Sequence, residues 1–268
     1  MFGRVSFPVP PLVSLLRKHV GVVRSFSRAV HAAHAPRSTT KYKHVIWDWN
    51  GTLMDDVWLC VDVMNKLLAK RNKQAIDVQK HRSSFDFPVR VYYERLGFDM
   101  VPDGTVSIHT GRHVGEHSFE SMSVEFVEHY GERMMQCGLY EHARQTLAAL
   151  QSKGVTQSVL SAFQHDKLTK ILHNYQIASH FCDIQGHADI FAKSKVPGLF
   201  RAHQKCCPQV SPKDVVLIGD TIHDHEVAQA LGVDCLLLSH GHHTLEKLTQ
   251  CGVPVLHSLE ELSHHVSA

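Results

Sequence analysis

Hydrophobic positions change their spacing twice along this 268-residue chain, and each change marks a different kind of segment. After prolines at 8, 10 and 11, Leu12, Leu16, Val20, Val23, Phe26 and Val30 recur every three or four residues. Arg17, Arg24 and Arg28 fall on another face, so an amphipathic helix is predicted within residues 12–32. His44-Val45-Ile46-Trp47-Asp48 then reads as a short buried strand. Val57, Val61, Met64 and Leu68 share one helical face, flanked by Cys60 and Leu67. Residues 75–120 are less regular, with a helix predicted near 88–96, ended by Gly97, and a polar loop over 101–117. Helices are predicted at 119–136 and 141–153, the second closed by Gly154.

The C-terminal half alternates. Strands are predicted at 156–161, 181–184, 214–219 and 234–238, each followed by a helical or loop segment. Several are continuous apolar runs, as expected of strands covered on both faces. The βαβα order predicts an α/β fold with a Rossmann-like parallel sheet and right-handed crossovers. About 100 mostly helical residues separate the first strand from this series and read as an inserted helical cap. The domain reading is therefore a leader over 1–42, a core over 43–57 plus 154–268, and a cap over 58–153. No internal repeats are visible.

Charge sharpens the division. Residues 1–43 hold eight of the 28 Lys and Arg and no Asp or Glu, so the body carries 20 basic against 26 acidic side chains. The basic, acid-free, amphipathic start matches a mitochondrial transit peptide, with a basic tail on a cytoplasmic protein as the alternative. An acidic body gives no support to nucleic-acid binding. No apolar run reaches the roughly 18 residues of a membrane span, so no membrane partner is expected. Seven Cys without a C-x-x-C pair predict reduced thiols, mostly buried, and neither a zinc ribbon nor a disulfide framework. Of the 23 His, small clusters at His109/His113/His117 and His240/His242/His243 are expected to be surface loop residues, a metal site being the rarer alternative.

Four stations carry candidate chemistry. Asp48-Trp49-Asn50-Gly51-Thr52-Leu53 follows a buried strand, where side chains face the ligand crevice of a parallel sheet. A carboxylate there can attack an electrophile and bind metal, while Asp55 and Asp56 are expected to cap the next helix. Gly219-Asp220-Thr221-Ile222-His223-Asp224 follows the strand Val215–Ile218, and its two carboxylates, four apart, can reach one hard cation such as Mg2+. Ser161 ends another strand, placed to donate to a phosphate oxygen or to cap a helix. Lys193 and Lys195 precede a helix and could neutralise charge in phosphoryl transfer.

Together the stations resemble the haloacid dehalogenase superfamily, whose four motifs come in this order: nucleophile loop, strand-end Ser or Thr, Lys, acidic metal site. The resemblance spans roughly 43–265. Phe85–Val89 and Tyr92–Asp99 look like the cap of phosphoglycolate phosphatase-like members, and Ser239-His240-Gly241, Gly252–Val255 and Ser258–Leu262 are similar to their tail. The resemblance implies a magnesium-dependent phosphatase acting on a small phosphorylated substrate. Asp48 would form an aspartyl-phosphate. Magnesium would be held by Asp48, the backbone carbonyl of Asn50 and Asp220, with Asp224 as a ligand or a supporting partner. Thr52 and Ser161 would bind phosphate oxygens, and Lys195, or else Lys193, would neutralise charge.

The departure is Asn50, where typical phosphatase members carry a second Asp that protonates the leaving alkoxide and activates water. An amide does neither, and such help is worth about 10²–10⁴ in rate. Three consequences are open: substrates with good leaving groups such as acyl phosphates, substitution by Asp55, Asp56 or a cap His, or a fold retained for binding or regulation. A dehalogenase would need no acid at position 50, but it would not need the Asp220/Asp224 pair either.

Overall fold

A computed structural model describes residues 41–98, 119–187 and 209–266. The predicted leader helix, the 101–117 loop, His109/His113/His117 and both candidate lysines, Lys193 and Lys195, lie outside these residues. No helix among the described residues is long and apolar enough to cross a membrane.

Six parallel strands form one sheet in the order β5-β4-β1-β6-β7-β8. They are β1 (His44–Trp47), β4 (Thr156–Gln164), β5 (Asp183–His187), β6 (Val215–Gly219), β7 (Asp234–Leu238) and β8 (Val255–Leu256). The α/β reading holds. The first strand is central, paired with β4 from His44↔Thr156 to Trp47↔Val159 and with β6 from His44↔Val215 to Trp47↔Ile218. The next strands in sequence go to opposite sides of β1, which opens a crevice at the C-terminal edge between them.

Alternation along each strand explains the continuous apolar runs. Val45 and Trp47 of β1, Val216 and Ile218 of β6, and Leu236 and Leu238 of β7 enter one core cluster. Ile46, Val215, Leu217, Cys235 and Leu237 enter the other. Side chains two apart share a face, so a sheet with helices on both faces needs apolar residues at every position. The first face is covered partly by α5 (Ala143–Ser152) and α6 (His165–Asn174), the second by α7 (Ile222–Leu231) and α8 (Leu245–Thr249).

Between β1 and β4 the chain leaves through β2 (Met54–Asp55) and returns through β3 (Gly138–Leu139), paired antiparallel. Among the described residues four helices intervene: α1 (Val57–Lys70), α2 (Val78–Ser84), α3 (Val89–Arg95) and α4 (Phe119–Arg133). An ion pair from the buried Arg71 guanidinium to Glu125, 2.9 Å, ties α1 to α4. The short β2–β3 ribbon and the polar α2 were not predicted. Neither has an apolar period to read, and α2 is set by its N-cap, where Asp77 accepts from Lys80 N at 2.7 Å. Strand β4 runs on to Gln164, so Ser161 lies within the strand and Gln164 takes the N-cap position of α6. The predicted end of the fifth helix holds: Gly154 follows it at φ +76°.

Among the cysteines, Cys60, Cys137, Cys235 and Cys251 are free, but Cys182 is disulfide-bonded. That corrects the expectation of reduced thiols throughout, because sequence spacing carries no information about which sulfurs meet in space.

One buried polar bridge aligns the two strands that carry Asp48 and Ser161. Gln157 of β4 accepts from Trp47 Nε1 of β1 at 3.0 Å and donates to the Leu147 carbonyl of α5 at 2.9 Å. In Gln157→Leu the indole N–H loses its acceptor in a buried site, at about 1–3 kcal/mol. Urea denaturation should show a lower midpoint with an unchanged m-value.

Candidate functional site

Asp48 stands one residue past β1, its amide N donating to the Ile218 carbonyl of β6 at 2.8 Å. Asp220 stands one residue past β6. Both side chains therefore emerge at the same sheet edge, and Asp224 reaches them from the first turn of α7. One carboxylate oxygen from each of Asp48, Asp220 and Asp224 lies within 4.8 Å of the others, and all three residues are buried. The sequence-predicted convergence is present.

Thr52 and the loop backbone hold this group in place. Thr52 Oγ1 lies 2.8 Å from Asp220 Oδ1 and 3.4 Å from Asp48 Oδ2. The His242 backbone N donates to Asp220 Oδ2 at 2.6 Å. Asp224 Oδ2 accepts from Thr221 N, Thr221 Oγ1 and Asp220 N, closing a capping box at the start of α7. That position suits a supporting role, orienting the loop that presents Asp220. Burial pushes the Asp220 carboxyl above the usual carboxylate range, and the neighbouring Asp224 charge adds to the effect against the pull of His242. Three crowded, buried, oxygen-only donors fit a hard divalent cation such as Mg2+.

Ser161 is buried and lines the same cavity as Asp48 and Asn50. Its Oγ accepts from Phe163 N at 3.1 Å, so it stabilises the local turn of the strand rather than a helix start.

Asn50 is occupied in a way its sequence position did not reveal. Its Nδ2 donates to Asp56 Oδ2 at 2.8 Å, and Gly51 N donates to Asp56 Oδ1 at 2.8 Å. Tyr130 OH of α4 also donates to Asp56 Oδ2, at 2.8 Å. Asp56 takes the N-cap position of α1 but makes no side-chain cap, contrary to the expected capping role. Its fully buried carboxylate is spent on the Asn50 loop and on His242, whose Nε2 is 3.3 Å from Asp56 Oδ1.

His242 and His243 are buried, which corrects the surface reading of that cluster. For both Asp56 and His242, burial is the largest single influence and opposes ionisation. The pairing outweighs it, lowering the Asp56 pKa and raising that of His242. His81 of α2 continues the chain, its Nε2 3.0 Å from His242 Nδ1 and its Nδ1 2.7 Å from Tyr92 OH. Burial, reinforced by the His242 charge, pushes the His81 pKa well down. Neutral His81 thus accepts from His242 and donates to Tyr92. Sequence reasoning singled out His242 only as part of a cluster. The available signal was Ser239-His240-Gly241-His242 directly after β7, where a Cβ at Gly241 would lie 2.1 Å from Asp220 Oδ2.

Breaking the buried pair should be costly. Asp56→Ala strands His242 and three donors, and a loss of about 3–5 kcal/mol is expected in chemical denaturation. The pH dependence follows from the signs. Asp56, with its lowered pKa, contributes fully above the ordinary carboxylate range and loses that contribution as pH falls through its folded value. His242, with its raised pKa, contributes fully below the ordinary imidazole value and loses it as pH rises through its folded value. A profile of unfolding free energy against pH should lose its alkaline limb in His242→Gln.

Residues 45–238 match the family model described as haloacid dehalogenase-like hydrolase. Phosphoglycolate phosphatase 1 of Pseudomonas aeruginosa is 24% identical over 199 residues, covering 74% of this chain and 70% of that one. A haloacid dehalogenase-like family hydrolase from Streptococcus pneumoniae has a similar fold, with a TM-score of 0.66 at 16% identity over 84% of this chain and 98% of its own. So does Protein Tyrosine Kinase A of Mycobacterium tuberculosis, with a TM-score of 0.66 at 22% identity over the same shares. The structural likenesses speak to fold alone, and chemistry belongs to the site. With the model match spanning the Asp48–Leu53 loop, Ser161 of β4 and the acidic Asp220/Asp224 pair, the chain belongs to the haloacid dehalogenase-like hydrolase family.

Proposed function

We propose that this protein is a magnesium-dependent phosphatase that hydrolyses a small phosphorylated metabolite through an aspartyl-phosphate on Asp48. The observation that carries the reading is the meeting of Asp48, Asp220 and Asp224 within 4.8 Å at one sheet edge. The phosphatase named among its relatives adds to it.

Asp48 is the nucleophile in this reading, because it alone of the three carboxylates also borders the adjoining cavity. Asp48, the Asn50 carbonyl and Asp220 would hold Mg2+, with Asp224 orienting the loop. The ion would offset charge on the phosphoryl group and on the crowded carboxylates. Ser161 and Thr52 would donate to phosphate oxygens, Thr52 by turning its hydroxyl from Asp220. Lys195, or Lys193, would supply the remaining positive charge. Asn50 supplies no proton, and Asp56, held ionised by His242, is a poor substitute acid. The basic leader is proposed to direct the chain to the mitochondrial matrix.

Asp48→Asn should abolish turnover and any acid-stable phosphoenzyme. Full activity in that variant would sink the nucleophile assignment. EDTA should remove activity and Mg2+ restore it, whereas a metal-independent dehalogenase would be indifferent.

The position-50 exchange can be read as a cycle. Asn50→Asp places a second carboxylate 2.8 Å from the Asp56 oxygen that Asn50 now donates to. It should raise the turnover of alkyl phosphates while lowering stability through like-charge contact. Adding Asp56→Asn should recover part of that stability, and a coupling near zero would show that the two positions do not communicate.

A further inference from the structure

We infer that the substrate is an aromatic phosphomonoester that leaves as a phenolate, a deepening that rests on the phosphatase reading above. Two independent observations point to it, one about shape and one about proton supply.

A cavity of about 200 Å³ opens beside Asp48 and Asn50. Among the described residues its wall is rich in aromatic rings, with Phe85, Phe87, Tyr92, Phe126, Tyr130 and Phe163 all lining it. The rings pack as a lattice. Phe85 and Tyr92 lie edge-to-face at 5.3 Å, Phe126 stacks on Tyr130 at 6.0 Å, and Tyr130 meets Phe163 edge-to-face at 5.9 Å. Edge-to-face and offset geometries are those an aromatic guest can extend. An apolar cavity of about 150 Å³ in another protein suffices to take up benzene, so one ring fits here. A leaving group with its own carboxylate would find one ammonium among the described lining residues, Lys167, which is half-exposed. Much of the remaining polar lining is committed, since Asn50, Asp56, His81, Tyr92, Tyr130 and His242 are bonded to one another, while Ser123 Oγ is buried without a partner.

The second observation is the fate of Asn50. An alkoxide leaving group needs a proton as its bond to phosphorus breaks, and the side chain at position 50 cannot give one. Its amide is pinned to Asp56, whose Oδ1 also lies 3.3 Å from His242 Nε2. A phenolate, with a conjugate acid near pKa 10, leaves without that help. The reaction balances without an acid at position 50. An Asp48 oxygen bonds to phosphorus as the phosphorus–oxygen bond breaks, its electron pair departing with the phenolate. Water then adds to phosphorus and the carboxylate leaves, regenerating Asp48. The two protons of water end on phosphate and phenolate, giving inorganic phosphate and a phenol.

The test uses the full chain with Mg2+ and compares kcat/KM for phenyl phosphate, cyclohexyl phosphate and 2-phosphoglycolate. Phenyl phosphate should exceed cyclohexyl phosphate by at least about 10²-fold, the size of the missing acid catalysis, and phosphoglycolate should be no better than cyclohexyl phosphate. Asn50→Asp should narrow the phenyl–cyclohexyl gap. Val127→Arg, which puts a cation in the cavity wall, should raise KM for phenyl phosphate with little change in kcat. Phosphoglycolate as the best of the three overturns the inference and leaves the phosphatase reading standing. If none is turned over, the phosphatase reading fails and binding decides the inference: Asp48→Asn protein is titrated calorimetrically with benzylphosphonate and phosphonoacetate. At least about tenfold tighter binding of benzylphosphonate supports the aromatic cavity. Tighter binding of phosphonoacetate, or binding of neither, overturns it.

Discussion

Four carboxylates, Asp48, Asp56, Asp220 and Asp224, are buried around the C-terminal edge of β1 and β6, and the structure of the site follows from how that negative charge is accommodated. Two unit charges within 4.8 Å repel by roughly 3–4 kcal/mol even at an effective dielectric of about 20. The molecule answers with three devices. Asp224 is consumed in a capping box with Thr221. Asp56 is paired with His242 and saturated with donors. Asp48 and Asp220 share the Thr52 hydroxyl, and a divalent cation would be a natural counter-charge there.

The Asp56–His242 pair links this cluster to the inserted helices. His242 stands after β7, Asp56 at the start of α1, Tyr130 on α4, and His81 on α2. Hydrogen bonds therefore run from the sheet edge into the inserted helices, ending on the Asn50 loop. Such a chain rigidifies the Asn50 loop when every member is satisfied, and it is expensive to break at any one member. It also accounts for the tolerance of Asn at position 50. The amide completes the Asp56 shell, a task an ionised Asp could not perform. In the proposed phosphatase, a site without an acid at position 50 would suit substrates that need none, and the cavity beside it carries aromatic side chains for one such class.

Much of the core was legible because its physics is local. The apolar runs at 215–218 and 235–238 match strands covered on both faces, and β6 and β7 lie there. Strand-end acids were readable because side chains past the C-termini of parallel strands face one crevice. By contrast, α2 and the β2–β3 ribbon are short and lack a period. Ser161 was placed at a strand end, but β4 continues to Gln164 because β5 pairs with it as far as Gln164↔His187. The Cys182 disulfide and the burial of His242 depend on neighbours far away in sequence.

The sequence by itself determined the order of the core strands β1, β4, β5, β6 and β7, the motif order that resembles the family, and the identity of the acids at the sheet edge. These are properties of periodicity and of residue type at strand ends, which act over a few residues. Only the tertiary structure decided that Asp56 serves the Asn50 loop rather than its own helix, that a histidine 186 positions away neutralises it, and that the cavity beside Asp48 is walled by aromatic rings. Those outcomes depend on which distant groups share a buried, low-dielectric volume, where an unpaired charge is too costly to persist. No local pattern encodes that.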